Sequence, residues 1–283
     1  MTRGCRLAAV SVSAGIAFAA FLFSGCSAKT YALPSRPAAA KKMLSAEEEK
    51  CLRVCARMSG RAQAEMQVND ENRAEFLSEL LLLLEEEKSF RKDDKSLFFL
   101  IDKTHTAERS YVPRDLILLE KNSLFDLNKA GMKIRPEAYD ALNEMAQAAL
   151  ADGIRLLVSS VYRSYAYQEN LFNYWVSVDG LEEAERESAR AGTSQHQLGT
   201  AADFGSISDD FGSTEMGRWM YSHAAEYGWS LSFPKGYEDV TGYRWECWHF
   251  RFLGKNACRF QKKWFGNIQQ FMLEFLYEWE HSE

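Results

Sequence analysis

Ser194-Gln195-His196-Gln197-Leu198-Gly199-Thr200-Ala201-Ala202-Asp203 sets a histidine and a carboxylate seven residues apart among small residues. Singly, neither is informative. A lone histidine is more often a hydrogen-bonded core residue than a ligand, and an aspartate after two alanines is more often a cap or turn residue. A third side chain of ligand type stands in Trp245-Glu246-Cys247-Trp248-His249-Phe250, where His249 follows Glu246 by three positions. Two imidazoles and a carboxylate are the protein ligands of a catalytic zinc ion that keeps a fourth position open, and a second carboxylate beside them has the chemistry of a base. His196, Asp203 and His249 are therefore the expected metal ligands, Zn2+ the expected cofactor and Glu246 the expected base.

Read together, the segments form S-x-H-x-x-G-x-A-x-D followed by E-x-x-H, with Ser194, His196, Gly199, Ala201 and Asp203 at the fixed positions of the first motif. On these residues the chain resembles the VanY-type D-alanyl-D-alanine carboxypeptidases, zinc peptidases of the lysostaphin and hedgehog fold group. The resemblance extends over roughly residues 97–256. Ser160-Val161-Tyr162-Arg163-Ser164 matches the family's serine-x-tyrosine-arginine-serine element. By resemblance Arg163 is an active-site arginine, suited to a substrate carboxylate or a developing oxyanion because a guanidinium stays charged and offers a fork of donors. Ser160, Tyr162, Gln168 and Ser194 are the further candidates for substrate binding. The match has departures: Ile101-Asp102-Lys103 stands where the family commonly has valine-asparagine-lysine, and Ser232-Phe233-Pro234 where it commonly has arginine-tyrosine-proline. The second departure predicts a different pocket wall.

The composition, 46% apolar with 13% aromatic residues, is that of a packed globular protein rather than a disordered one. Arg3 and Arg6 precede an uncharged apolar run over about residues 7–23, the pattern of an export signal. The run ends in Leu22-Phe23-Ser24-Gly25-Cys26, which resembles a lipobox with Cys26 as the lipidated residue; a retained anchor or ordinary cleavage near Ala28 are the alternatives. A net charge of −6, with no basic cluster, argues against nucleic acid as a partner. Export permits disulfides among Cys51, Cys55, Cys247 and Cys258. Cys51 and Cys55 share a helix face in poor geometry for bridging, whereas Cys247 and Cys258 either pair or stay free.

Outward from the motifs, Ser45-Ala46-Glu47-Glu48 makes a capping box that predicts a helix into the low sixties, and the apolar face in residues 70–88 predicts a second. Residues 97–101 read as a buried strand. Pro136 and Gly153 bracket a helix, residues 155–160 a strand, residues 181–191 a charged helix or lid, and residues 200–204 and 229–233 two further strands. Glu246 is expected in a turn or bulge before the strand that carries His249, since a regular strand would send the two to opposite faces. The apolar stripe from Ile268 to Trp279 predicts a C-terminal helix.

The expected architecture is α+β, a small antiparallel sheet flanked by helices and preceded by a helical hairpin. Its predicted layout is a lipoprotein signal peptide over 1–25, a tether over 26–42, a helical hairpin over 43–95, a zinc carboxypeptidase domain over 96–266 and a C-terminal amphipathic helix over 267–283. The resemblance implies removal of the C-terminal D-alanine from peptidoglycan stem peptides, as a D,D- or L,D-carboxypeptidase. The rivals are a zinc-stabilised wall-binding protein without turnover and a cross-link endopeptidase. The expected location is outside the cytoplasmic membrane, tethered by the lipid.

Overall fold

The computed structural model describes residues 44–90 and 95–282. The signal peptide, the tether and Cys26 lie outside the described residues. Among the described residues no helix is long and apolar enough to cross a membrane.

Helix α1 (Ala46–Arg57) begins with the predicted box: Ser45 Oγ accepts from the Glu48 N–H and Glu48 reaches back to the Ser45 N–H. It ends sooner than expected, because Met58 turns extended and Ser59 caps a new short helix, α2 (Gly60–Glu65). Helix α3 (Arg73–Phe90) buries Phe76, Leu77, Leu80 and Leu83, while Leu81 and Leu82 of the same run face solvent.

Leu97, Phe98, Leu100 and Ile101 are buried and Phe99 is partly buried, but the segment forms no strand. The Leu97 N–H donates to Glu87, and the Leu97 and Phe99 carbonyls accept from the buried Arg251 guanidinium at 2.8 and 2.9 Å, so side chains satisfy backbone groups that a ladder would otherwise pair. A two-stranded ribbon follows from β1 (Ile117–Leu118) and β3 (Lys133–Ile134), with β2 (Phe125–Leu127) between them in sequence. Helix α4 (Pro136–Ala151) has Pro136 at its first turn and closes before Gly153, whose φ of 80° needs a glycine.

The main sheet contains β2, β4 (Leu156–Ser160), β5 (Ala201–Phe204), β7 (Glu246–Phe252) and β6 (Trp229–Phe233), in that spatial order. The pairs are antiparallel except β2 with β4, which is parallel, so the sheet is mixed at one edge rather than wholly antiparallel. Helix α5 (Tyr165–Glu187), capped by Ser164, kinks at Gly180; the predicted charged helix is its last part. Thr214 caps α6 (Glu215–His223), α7 (Glu238–Thr241) is a single turn, and α8 (Lys255–Trp264) and α9 (Gln269–His281) close the chain.

One apolar core runs from α1 and α3 through the sheet to α8 and α9. Phe76 is its junction, with ring centroids 5.2–5.3 Å from those of Phe260, Trp264 and Phe275. Phe204, Trp229 and Phe250 pack on one face of the sheet. The side chains that alternate with Phe204 and Phe250, Asp203 and His249, turn to the other face. All four described cysteines are free, and the Cys51 and Cys55 sulfurs lie 4.0 Å apart.

Candidate metal centre

Three central strands present polar side chains in a row. Ser160 of β4 pairs with Asp203 of β5, and Asp203 pairs with His249 of β7. His196 arrives from the 3-10 turn Gln195–Leu198 just before β5. The turn closes on Gly199 at φ 71°, where an added Cβ would come within 2.8 Å of Leu116 and 3.1 Å of Arg135, so the motif's glycine answers both a left-handed backbone and a tight approach. His196, Asp203 and His249 are buried, and one ligand atom from each lies within 4.8 Å of the others.

Each imidazole has one nitrogen committed to a second partner. His196 Nδ1 lies 2.6 Å from the Val161 carbonyl, an acceptor only, so it carries the proton and Nε2 is bare. His249 Nε2 lies 3.1 Å from Gln195 Oε1, which leaves Nδ1 bare. These bare nitrogens face Asp203, His196 Nε2 at 3.2 Å from Oδ2 and His249 Nδ1 at 3.1 Å from Oδ1. Two lone pairs pressed against a buried carboxylate are unfavourable unless a cation lies among them. His196 Nε2 and Asp203 Oδ1 are also buried without a hydrogen-bond partner. The donor set fits zinc: two neutral imidazoles and one carboxylate, each with an outer-shell contact.

Burial and then the charge of Arg163 push the His196 imidazole down to about 4, against the opposing pull of Asp203. Burial alone would raise the Asp203 carboxyl, but positive charge beside it, with the Arg163 guanidinium on Oδ2, holds it well below the usual carboxylate range.

Glu246 opens β7 rather than preceding it. Leu231 of β6 pairs with Phe250, but Phe233, two residues on, pairs with Glu246, four residues back. This bulge of two extra residues lets Glu246 share a face with His249, with its Oε2 3.6 Å from His249 Nδ1. Burial and then the charge of Asp203 raise its carboxyl well above the usual range.

Arg163 lies on Asp203, with Nη2 2.5 Å from Oδ2, and its Nε donates to Ser160 Oγ at 2.9 Å. Ser160, Arg163, Ser194 and Glu246 line a cavity of about 370 Å3 together with the three candidate ligands. Tyr162 and Gln168 stand elsewhere. Tyr162, two residues past the end of β4, lines a neighbouring depression with Lys133, and its N–H donates to the Lys133 carbonyl of β3 at 3.1 Å. Gln168 is buried, and its amide donates to the Ala189 carbonyl at 2.7 Å and to Ser188, so it holds the wall segment instead of forming the wall.

Two further residues at the site carry no motif signal: Gln195, the hydrogen-bond partner of His249, and Tyr243, whose buried hydroxyl lies 3.3 Å from Thr193 and is pushed up to about 12 by burial. Gln195 stands between two fixed motif positions, and only its partner, 54 residues on, reveals its part. At the Ser232-Phe233 departure, the Phe233 ring lines the cavity, 4.8 Å from that of His249.

A family profile described as VanY, D-alanyl-D-alanine carboxypeptidase, matches residues 131–255. The putative carboxypeptidase YodJ of Bacillus subtilis is 35% identical over 174 residues, 59% of this chain and 64% of its own length. A D-alanyl-D-alanine carboxypeptidase of Enterococcus faecalis is 30% identical over 46% of this chain and 51% of its own length. The chain thus spans between half and two thirds of these curated relatives. The solved structure of the LdcB LD-carboxypeptidase superposes with a TM-score of 0.56 at 32% identity, over 63% of this chain and 85% of that one.

Proposed function

The chain belongs to the VanY D-alanyl-D-alanine carboxypeptidase family, and from that premise we propose that it is a zinc-dependent carboxypeptidase removing the terminal D-alanine from peptidoglycan stem peptides. The observation that carries this reading is the convergence of His196, Asp203 and His249 beside Glu246 in one cavity. When bound, zinc supplies a Lewis acid that polarises a carbonyl and lowers the pKa of water from about 16 toward about 7.

The remaining work falls to the chain's own groups. Glu246 takes the proton of the attacking water and hands it to the leaving amine. Arg163 offers its charge to the carbonyl oxygen or to the substrate's terminal carboxylate, with Ser160 holding its Nε. The outer hydrogen bonds of His196 and His249 set which ring nitrogen of each faces Asp203, and the buried aromatic wall of Phe233 and Tyr243 limits water. In this reading Ser160 and Ser194 are the cavity-lining candidates for substrate contact.

Mass spectrometry of the zinc-loaded protein with muramyl tetrapeptide and pentapeptide tests this reading, with Glu246→Gln as control. Loss of one alanine from the pentapeptide indicates D,D activity and from the tetrapeptide L,D activity. No loss from either, with zinc bound, would reject the carboxypeptidase reading.

We further propose export and attachment through a lipid on Cys26, on the strength of the charged, apolar and Cys-terminated pattern of residues 3–26. Cys26→Ala is expected to move the protein from the membrane fraction to the soluble exported fraction. An unchanged distribution would point to a retained anchor.

A further inference from the structure

The first turn of α9, beyond the residues that the family profile matches, reaches the metal centre. The path begins at a backbone carbonyl. Gln269 Nε2 donates to the Ser230 carbonyl at 3.2 Å, and because that oxygen only accepts, Gln269 must present its own Oε1 on the other side. Gln195 Nε2 donates to that Oε1 at 3.1 Å, which turns Gln195 Oε1 toward His249 Nε2 at 3.1 Å. Ser232 Oγ donates to the same Gln195 oxygen at 2.7 Å and lies 3.3 Å from Gln269 Oε1. Flipping either amide would set acceptor against acceptor or donor against donor. Gln195, Ser230, Ser232, His249 and Gln269 are all buried, so water cannot replace a lost partner cheaply.

We propose that Gln195, Ser232 and Gln269 are positioning residues for the metal centre: a one-way relay by which α9 fixes the proton of His249 on Nε2 and keeps Nδ1 free to ligate. His196 reaches the same state with one bond to the Val161 carbonyl. His249 reaches it through two glutamines, which makes a helix outside the family core part of the site. The inference rests on the zinc reading above. Outer-shell partners of this kind are worth about 10–100-fold in metal affinity when removed.

The test measures zinc affinity of the full chain by chelator competition, without substrate, beside the melting temperature of each metal-free protein. Gln195→Met removes the acceptor and is expected to weaken zinc binding about 10–100-fold. Gln195→Glu keeps an acceptor for His249 but sets its other oxygen against Gln269 Oε1, and is expected to bind zinc more tightly than Gln195→Met and less tightly than the wild type, a partial rescue that a merely space-filling role would not produce. Gln269→Met, which leaves Gln195 free to rotate, is expected to weaken binding about tenfold. Its Co(II) form should show an altered ligand-field spectrum.

Wild-type affinity in Gln195→Met, or an equal loss in Gln195→Met and Gln195→Glu, overturns the relay. Wild-type affinity and an unchanged Co(II) spectrum in Gln269→Met overturn the part given to α9. Should Gln269→Met fail to fold, the Gln195 pair still decides. A wild-type protein that binds no zinc at all would reject the zinc reading itself, an outcome distinct from unaltered variants.

Discussion

At the scale of single residues, Glu246 is placed where its proposed task as a base and the burial of its carboxylate conflict. Its carboxyl is buried and raised well above 4.5, so between 4.5 and its raised value the folded metal-free protein holds more protons than the unfolded chain. Stability contributed by this group is therefore lost as pH rises through that interval. Glu246→Gln removes the loss, and the metal-free variant is expected to be more stable than wild type at pH 8, with the margin shrinking toward pH 5. His196 acts with the opposite sign. Its depressed value, about 4 against 6.5, makes stability fall as pH drops from about 6.5 to about 4. Glu246→Gln should leave that acid limb in place while lowering turnover by about 10²–10⁴-fold, the range for losing a general base. Urea titrations of both metal-free proteins at pH 5 and pH 8 measure the first effect, and single-turnover hydrolysis the second. A Glu246→Gln protein no more stable than wild type at pH 8 would contradict the placement of a strained buried carboxylate.

At the scale of elements, what could be read in advance depended on whether a signal was local. Strand β5 was legible because Asp203 and Phe204 alternate, and α1 because Ser45 and Glu48 make a complete cap within four residues. The helix starting at Pro136 declared itself through a proline and a glycine. By contrast, the run over residues 97–101 has a strand's composition but no strand, and the carbonyls of Leu97 and Phe99 are taken by Arg251, about 150 positions away. The bulge in β7 depends on how β6 registers against it, which no pattern within residues 246–252 encodes. The three candidate metal ligands are legible from the two motifs, and the groups behind them are not, because Gln195 and Gln269 acquire meaning only when brought together. The same non-local packing joins α3 to α8 and α9 at Phe76. Phe76→Ala is expected to cost about 3–5 kcal/mol. Since the core is continuous, urea unfolding should remain a single transition shifted to lower denaturant. A separate early transition for α1–α3 would instead show that these helices fold apart from the sheet.

At the scale of the whole molecule, the metal-free centre is a local instability held at the middle of the sheet. Two bare imidazole nitrogens face a buried carboxylate, and the strands that carry Asp203 and His249 also bind the apolar core on their reverse face. Zinc would relieve that contact in the folded state only, so its binding energy adds to the stability of the entire fold rather than of one loop. At about 1,000 times the dissociation constant the linkage amounts to about 4 kcal/mol. With about 2–4 °C for each kcal/mol in a domain of this size, the melting temperature is expected to rise by about 10 °C on loading. It should fall again when the ion is chelated, with zinc restoring both stability and turnover. His249→Ala removes one ligand and should abolish most of this shift, while Phe76→Ala, distant from the centre, should lower both the loaded and the unloaded melting temperatures and preserve the difference between them. Equal shifts in wild type and His249→Ala would mean that zinc binds elsewhere on the chain, and scanning calorimetry of the three proteins with and without chelator separates the cases.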